Sequence, residues 1–198
     1  MSRQKALLIV DVQNDFCPGG ALHVPDGDRV VGPINHVAEC FAAAGLPVLA
    51  SRDWHPPITG HFQQYGGLWP VHCVQGSHGA GFYPQLRLPP GTILLCKGAD
   101  PDKDAYSAFD AFNDKGENLG AVLARLAVDE LFVCGLATDY CVKSTVLDAL
   151  AQGLRVTVIV DAVAGVDVQP GDSAQAMEQM KQAGAGFCAS DRLPVTSS

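Results

Sequence analysis

Residues 131–160 read LFVCGLATDYCVKSTVLDALAQGLRVTVIV, and this stretch decides the fold class. Leu131–Cys134 is continuously apolar, without the alternation of a strand that keeps one face in water. Such a run fits a strand covered on both faces, as in a parallel sheet. Val142, Val146, Ala149 and Leu150 then recur at helical spacing, and Gly153 supplies a C-terminal stop. Val156–Val160 is a second continuous apolar run. Strand, helix and strand in that order make a right-handed crossover with parallel strands.

The same rhythm extends outward. Ala6–Val10, Pro47–Ala50 and Thr92–Cys96 are further short apolar runs. Val30, Ile34, Val37 and Phe41 form one helical stripe before Gly45, Leu119, Val122, Leu123 and Leu126 another, and Ala176, Met177 and Met180 a last one before Gly184. The expected fold is α/β, a three-layer sandwich with a central, mainly parallel sheet flanked by helices. Two segments break the rhythm. Val12–Gly27 and Asp53–Pro90 are rich in Gly and Pro, and the second is far longer than an ordinary connection, which favours a functional loop.

The chain has 198 residues, a length that favours one domain spanning residues 1–198. It carries 13 Lys+Arg against 21 Asp+Glu, a formal charge of −8, which argues against a nucleic-acid partner because that affinity needs basic side chains to displace counterions. No apolar run approaches the ~20 residues of a membrane span, and the polar start Met1–Lys5 does not resemble an export signal. Seven cysteines, none in a Cys-x-x-Cys pair, fit a reducing, cytoplasmic setting.

In an open α/β sheet, ligands bind beyond the carboxyl ends of the strands. Asp11 follows the first apolar run, Asp53 lies just beyond the second, Lys97 follows the third, and Thr138–Cys141 follow the fourth. Parallel strands end on one edge, so these residues can meet in one cleft. A strand-end carboxylate such as Asp11 can serve as acid or base. Cys141, with Thr138 or Asp139 as N-cap, would lie in a first helical turn, where the dipole and free N–H groups favour thiolate and can hold an oxyanion. Lys97 would stabilise either anion. Taken singly, Asp11 reads first as a loop carboxylate and Cys141 as a buried structural thiol, and Lys97 equally as a solvated strand-end charge.

Asp53-Trp-His55 places two donors on one side of an extended segment, and His61 and His72 follow in the same long loop. That donor set suits zinc, iron or manganese. His23, His36 and His78 lack such context and read as surface residues. Phe16, Trp54, Trp69 and Tyr106 can wall a pocket for a flat ring or simply belong to the core.

Taken together, Asp11-Val-Gln-Asn-Asp15-Phe16, Pro18-Gly-Gly-Ala-Leu22, Asp53-Trp-His55-Pro, Trp69-Pro-Val-His72-Cys, Lys97-Gly, Tyr106-Ser-Ala-Phe109 and Gly135-Leu-Ala-Thr-Asp-Tyr-Cys141-Val resemble the nicotinamidase/pyrazinamidase branch of the isochorismatase-like cysteine hydrolases. The resemblance implies a catalytic triad of Asp11, Lys97 and Cys141. It implies one divalent metal per chain on Asp53, His55, His72 and, less securely because relatives vary there, His61. Zinc is expected first, with iron or manganese as alternatives. An oxyanion hole from the Ala137 and Cys141 amides, a cis peptide at Leu136–Ala137, and a ring pocket of Phe16, Leu22, Trp69 and Tyr106 are further implications. The implied reaction is hydrolysis of nicotinamide to nicotinate and ammonia in NAD salvage, with pyrazinamide as a second substrate, by a chain whose relatives are often homo-oligomers. The rival readings are hydrolysis of another small amide or carbamoyl compound, and a thiol redox or metal-binding protein. A redox sensor would need a resolving cysteine and would have no use for Asp11 and Lys97.

Overall fold

The computed structural model describes residues 4–194. Six strands form one parallel sheet in the order β3-β2-β1-β4-β5-β6. In chain order the elements are β1 (Gln4–Val10), α1 (Val31–Ala43), β2 (Val48–Asp53), β3 (Ile93–Lys97), α2 (Leu119–Arg125), β4 (Val128–Leu136), α3 (Lys143–Ala151), β5 (Arg155–Ala164), α4 (Asp172–Gln182) and β6 (Gly186–Cys188). Among the described residues, no helix is long and apolar enough to cross a membrane.

The layers explain the continuous apolar runs. Leu7 and Ile9 of β1 point to one face, where Ile34, Val37 and Phe41 of α1 cover them. Ala6, Leu8 and Val10 point to the other, against Leu119 and Val122 of α2, Val146 of α3 and Met180 of α4. Successive strand residues face opposite sides, so a strand covered twice must be apolar at every position.

The strands differ from expectation mainly at their carboxyl ends. β2 and β3 run on through Asp53 and Lys97, which are the last register pair of their ladder. These two residues are therefore neighbours by strand pairing. β5 continues to Ala164, with a register shift against β4 between Val133 and Gly135. Gly135 has φ of 114°, and a Cβ there would stand 2.0 Å from the Val10 carbonyl oxygen, so the close approach of β4 to β1 requires glycine. β6 was not foreseen, since its three residues are too few to show a pattern.

Candidate active site and metal centre

Asp11 leaves β1 in the left-handed region at φ 51°, which a short polar side chain tolerates. Its N–H donates to the Ser51 carbonyl at 3.2 Å, and the Ser51 hydroxyl donates to its Oδ1 at 2.7 Å. Ser51 and Asp53, two apart on β2, thus both serve the cleft, an i, i+2 polar pair after the apolar Val48–Ala50 that was a usable signal in the sequence. Gln13 fixes Asp53 from outside. Its Oε1 accepts the Asp53 N–H at 2.7 Å and its Nε2 donates to the Asp53 carbonyl at 2.8 Å.

Lys97 is fully enclosed. Its ammonium lies 2.9 Å from Asp11 Oδ2, donates to Asp53 Oδ1 and to the Ala105 carbonyl at 3.0 Å, and reaches Cys141 Sγ at 3.4 Å. Carboxylate oxygens of Asp11 and Asp53 and the Cys141 sulfur all lie within 4.8 Å of one another. The strand ends therefore bring Asp11, Lys97 and Cys141 together, as the sequence suggested.

The turn that carries Cys141 differs from expectation. Thr138–Val142 is a π-type turn, and α3 begins only at Lys143. Neither Thr138 nor Asp139 caps it. The Tyr140 and Val142 N–H groups both donate to the Ala137 carbonyl at 3.1 Å, and the peptide Leu136–Ala137 is cis. The thiol is not poised as thiolate either. Burial pushes it well above its ordinary range; Lys97 pulls the other way, while Asp11 and Asp53 add to the rise. Burial of the sulfur, with two carboxylates beside it, sets this direction against the pull of Lys97.

The two carboxyls are themselves driven apart. Burial raises Asp11, against the pull of Lys97 and with Asp53 adding to it. For Asp53 burial acts in the same sense, but the charge of Lys97 wins and holds it well below the usual range. Burial alone would lower Lys97, yet Asp11 and Asp53 keep it well above its ordinary value.

Beside this cluster stand His55, His61 and His72, all buried, each with a ring nitrogen within 4.8 Å of the others. Each ring donates its Nδ1–H outward: His55 to the Gly98 carbonyl at 3.1 Å, His61 to the Asp104 carboxylate at 2.5 Å, His72 to the Pro70 carbonyl at 2.8 Å. Fixing Nδ1 as donor leaves Nε2 as a lone-pair donor, the usual support for a metal-binding imidazole. His55 Nε2 is buried with no partner. Asp53 Oδ2 lies 3.8 Å from His55 Nε2 and 4.0 Å from His72 Nε2. Burial, opposed by Asp53, brings His72 down to about 4, so its imidazole is neutral at pH 7, as a ligand must be. Three imidazoles and one carboxylate fit a divalent transition metal. Asp53 stands between the two groups, one oxygen on Lys97 and the other toward the imidazoles.

A pocket of about 450 Å³, open mouth included, lies over both groups. Phe16, Leu22, Trp69 and Tyr106 line it as expected, with Asp53, His61, His72, Ala137 and Cys141. Val24, Ala105, Leu136, Tyr140 and Val166 also line it and were not foreseen. Tyr140 had a signal, being next to Cys141, and its ring meets Trp69 edge-on at 5.0 Å. Trp54 instead packs on the core beneath the guanidinium of Arg52. His23, His36 and His78 are exposed.

A family model described as the isochorismatase domain matches residues 5–192. The nicotinamidase of Escherichia coli (strain K12) is 45% identical, over 91% of this chain and 92% of its own length. The nicotinamidase/pyrazinamidase of Mycobacterium tuberculosis (strain ATCC 25618 / H37Rv) is 40% identical, over 90% of this chain and 95% of its own length. Among solved structures, the pyrazinamidase of Pyrococcus horikoshii in complex with zinc superposes with a TM-score of 0.87 at 41% identity, covering 94% of this chain and 99% of that one. With the parallel sheet, the strand-end cluster and nearly the whole chain matched, this protein belongs to the isochorismatase family.

Proposed function

We propose that this chain is a metal-dependent nicotinamidase, hydrolysing nicotinamide to nicotinate and ammonia in pyridine-nucleotide salvage, and pyrazinamide in the same pocket. The observation that carries the reading is the enclosed cluster of Asp11, Lys97 and Cys141 beside three outward-anchored imidazoles. Asp11, the carboxyl raised by burial, takes the thiol proton of Cys141 as the sulfur attacks the carboxamide carbon. Lys97 holds the charge of the cluster during that transfer. The amides of Ala137 and Cys141 receive the developing oxyanion. The carbon–nitrogen bond breaks as Asp11 gives its proton to the departing ammonia, leaving a thioester. Water then adds to the thioester with Asp11 as base, releasing nicotinate and returning the proton to the sulfur.

Asp53, His55, His61 and His72 would hold the metal, zinc first and iron or manganese on the same donors, and it would supply a Lewis acid for a ring nitrogen. Phe16, Leu22, Trp69 and Tyr106 hold the flat ring. The site draws on segments from Asp11 to Val166, which supports reading residues 1–198 as one domain. Seven cysteines without a disulfide support a cytoplasmic setting.

The test is ammonia release by the purified protein from nicotinamide, benzamide and an aliphatic amide, with and without a chelator. Turnover of nicotinamide that falls on chelation is expected. A site that recognises the ring nitrogen should disfavour benzamide by on the order of 10³-fold. Preference for the aliphatic amide would overturn the assignment.

A further inference from the structure

Among the described residues, Val166 is the one position beyond β5 that lines the pocket. Its placement depends on the turn that carries the nucleophile. The Asp139 carboxylate, 4% exposed and two residues before Cys141, accepts the Val166 N–H on Oδ1 at 2.9 Å and the Asp167 N–H on Oδ2 at 2.8 Å. No cation pairs with it among the described residues, so these two N–H groups are its main support. On the far side, Asp167, at φ 50°, accepts both the N–H and the hydroxyl of Ser173 in the first turn of α4, at 2.8 and 2.7 Å. Gly165 leaves no slack, since a Cβ there would lie 1.8 Å from Ser173 Oγ and 3.1 Å from Asp139 Oδ1. Val166 is thus clamped between two carboxylates, one on the nucleophile turn and one on the loop to α4.

The geometry points to Asp139 as a positioning residue that sets substrate fit by fixing the Val166 wall beside Ala137 and Cys141. This rests on the nicotinamidase reading and deepens it. Asp139 has no place in proton transfer, because both its oxygens are occupied by backbone donors. An asparagine there keeps the shape but offers one acceptor oxygen and turns an NH₂ toward the second N–H. The wall would then move while Asp11, Lys97 and Cys141 stay in place. An apolar wall displaced by about one methyl group costs on the order of tenfold or more in discrimination.

The experiment compares wild type, Asp139→Asn, Val166→Ala and the double variant on nicotinamide, with the iodoacetamide rate of Cys141 measured in each. For Asp139→Asn, KM should rise about tenfold, with kcat within about threefold and Cys141 alkylation unchanged. The double variant should be no worse than the poorer single one, because both act on one wall. An unchanged KM, additive losses, or kcat and alkylation falling together would overturn the assignment. If Asp139→Asn does not fold, Val166→Ala must still raise KM, and an unchanged KM there refutes the wall. If the wild type releases no ammonia from nicotinamide, the functional reading fails separately. Backbone hydrogen exchange at Val166 and Asp167 then decides, since Asp139→Asn must speed it if the clamp is real.

Discussion

At Lys97 one ammonium serves two carboxylates, a carbonyl and a thiol, all out of water. One cation cannot neutralise two full anions in such a place, and the two carboxyls divide the roles. Against burial, Lys97 keeps Asp53 charged, whereas burial and Asp53 raise Asp11, which fits it to take up a proton from Cys141. In the proposed mechanism Lys97 fixes the cluster electrostatically while Asp11 moves the proton. Asp11→Asn should cut nicotinamide hydrolysis by about 10²–10⁴-fold, the usual worth of a general acid–base. It should also affect Cys141 in the opposite sense. Asp11 raises the thiol, so its neutral replacement brings the thiol down and leaves more thiolate at a given pH. Iodoacetamide should then label Cys141 slowly at pH 7 in the wild type, faster as pH rises, and faster at pH 7 in Asp11→Asn. Unchanged labelling in that variant would show that the Asp11 carboxylate does not act on the sulfur.

At the scale of the elements, the sequence was most informative where one physical demand acts alone. Strands covered on both faces must be apolar throughout, so Ala6–Val10 and Leu131–Cys134 marked the sheet and, through it, the edge where Asp11 and Cys141 meet. Strand ends were less legible, because a ladder continues into polar residues when pairing and a buried charge partner support them, as at Asp53 and Lys97. The turn that carries Cys141 looks in the sequence like an ordinary helix start but is not one. Its hydrogen bonds converge on the Ala137 carbonyl, and the polar residues that look like caps are used elsewhere, Asp139 by Val166 and Asp167. Pocket walls such as Val24 and Val166 carried no signal, since an apolar loop residue looks the same whether it faces a ligand or the core. Gly135 acts inside β4, where its lack of a side chain matters. It lets β4 reach Val10 immediately before Asp11, so the strand ends that carry Asp11 and lead to Cys141 are set by one close contact. Gly135→Ala needs a backbone shift and a left-handed φ for alanine together, and should cost on the order of 3 kcal/mol in denaturant unfolding. Since the shift falls between Asp11 and Cys141, activity per folded molecule should fall as well. A variant with wild-type stability and activity would mean that the two strands separate without consequence.

Across the whole molecule, the rigid sheet contrasts with residues 54–92, which add no strand to it. That segment supplies His55, His61 and His72, and it is tied to the next connection by hydrogen bonds from Gly60 and Thr59 to the Pro101 carbonyl and from His61 to Asp104. That connection in turn carries Ala105, the acceptor for Lys97, and Tyr106 of the pocket. The imidazole centre is therefore where two long loops and the end of β2 converge, and His55 Nε2 is buried there without a hydrogen-bond partner, which a shared cation would satisfy. A metal that binds the folded chain alone adds RT ln(1 + [M]/Kd), about 2.7 kcal/mol at a hundredfold excess over Kd. For a chain of this size, ~2–4 °C per kcal/mol makes that a rise of about 5–11 °C in Tm. Stripping the metal should lower Tm by this amount and re-addition should restore it, while His72→Ala should melt at the stripped value with or without metal. Hydrogen exchange should locate the change, with faster exchange over residues 54–79 and 99–107 in the stripped protein and unchanged protection in β1 and β4. A Tm indifferent to metal in protein shown by elemental analysis to have lost and regained it would mean that the loops hold their shape without the ion, leaving it a role only toward substrate.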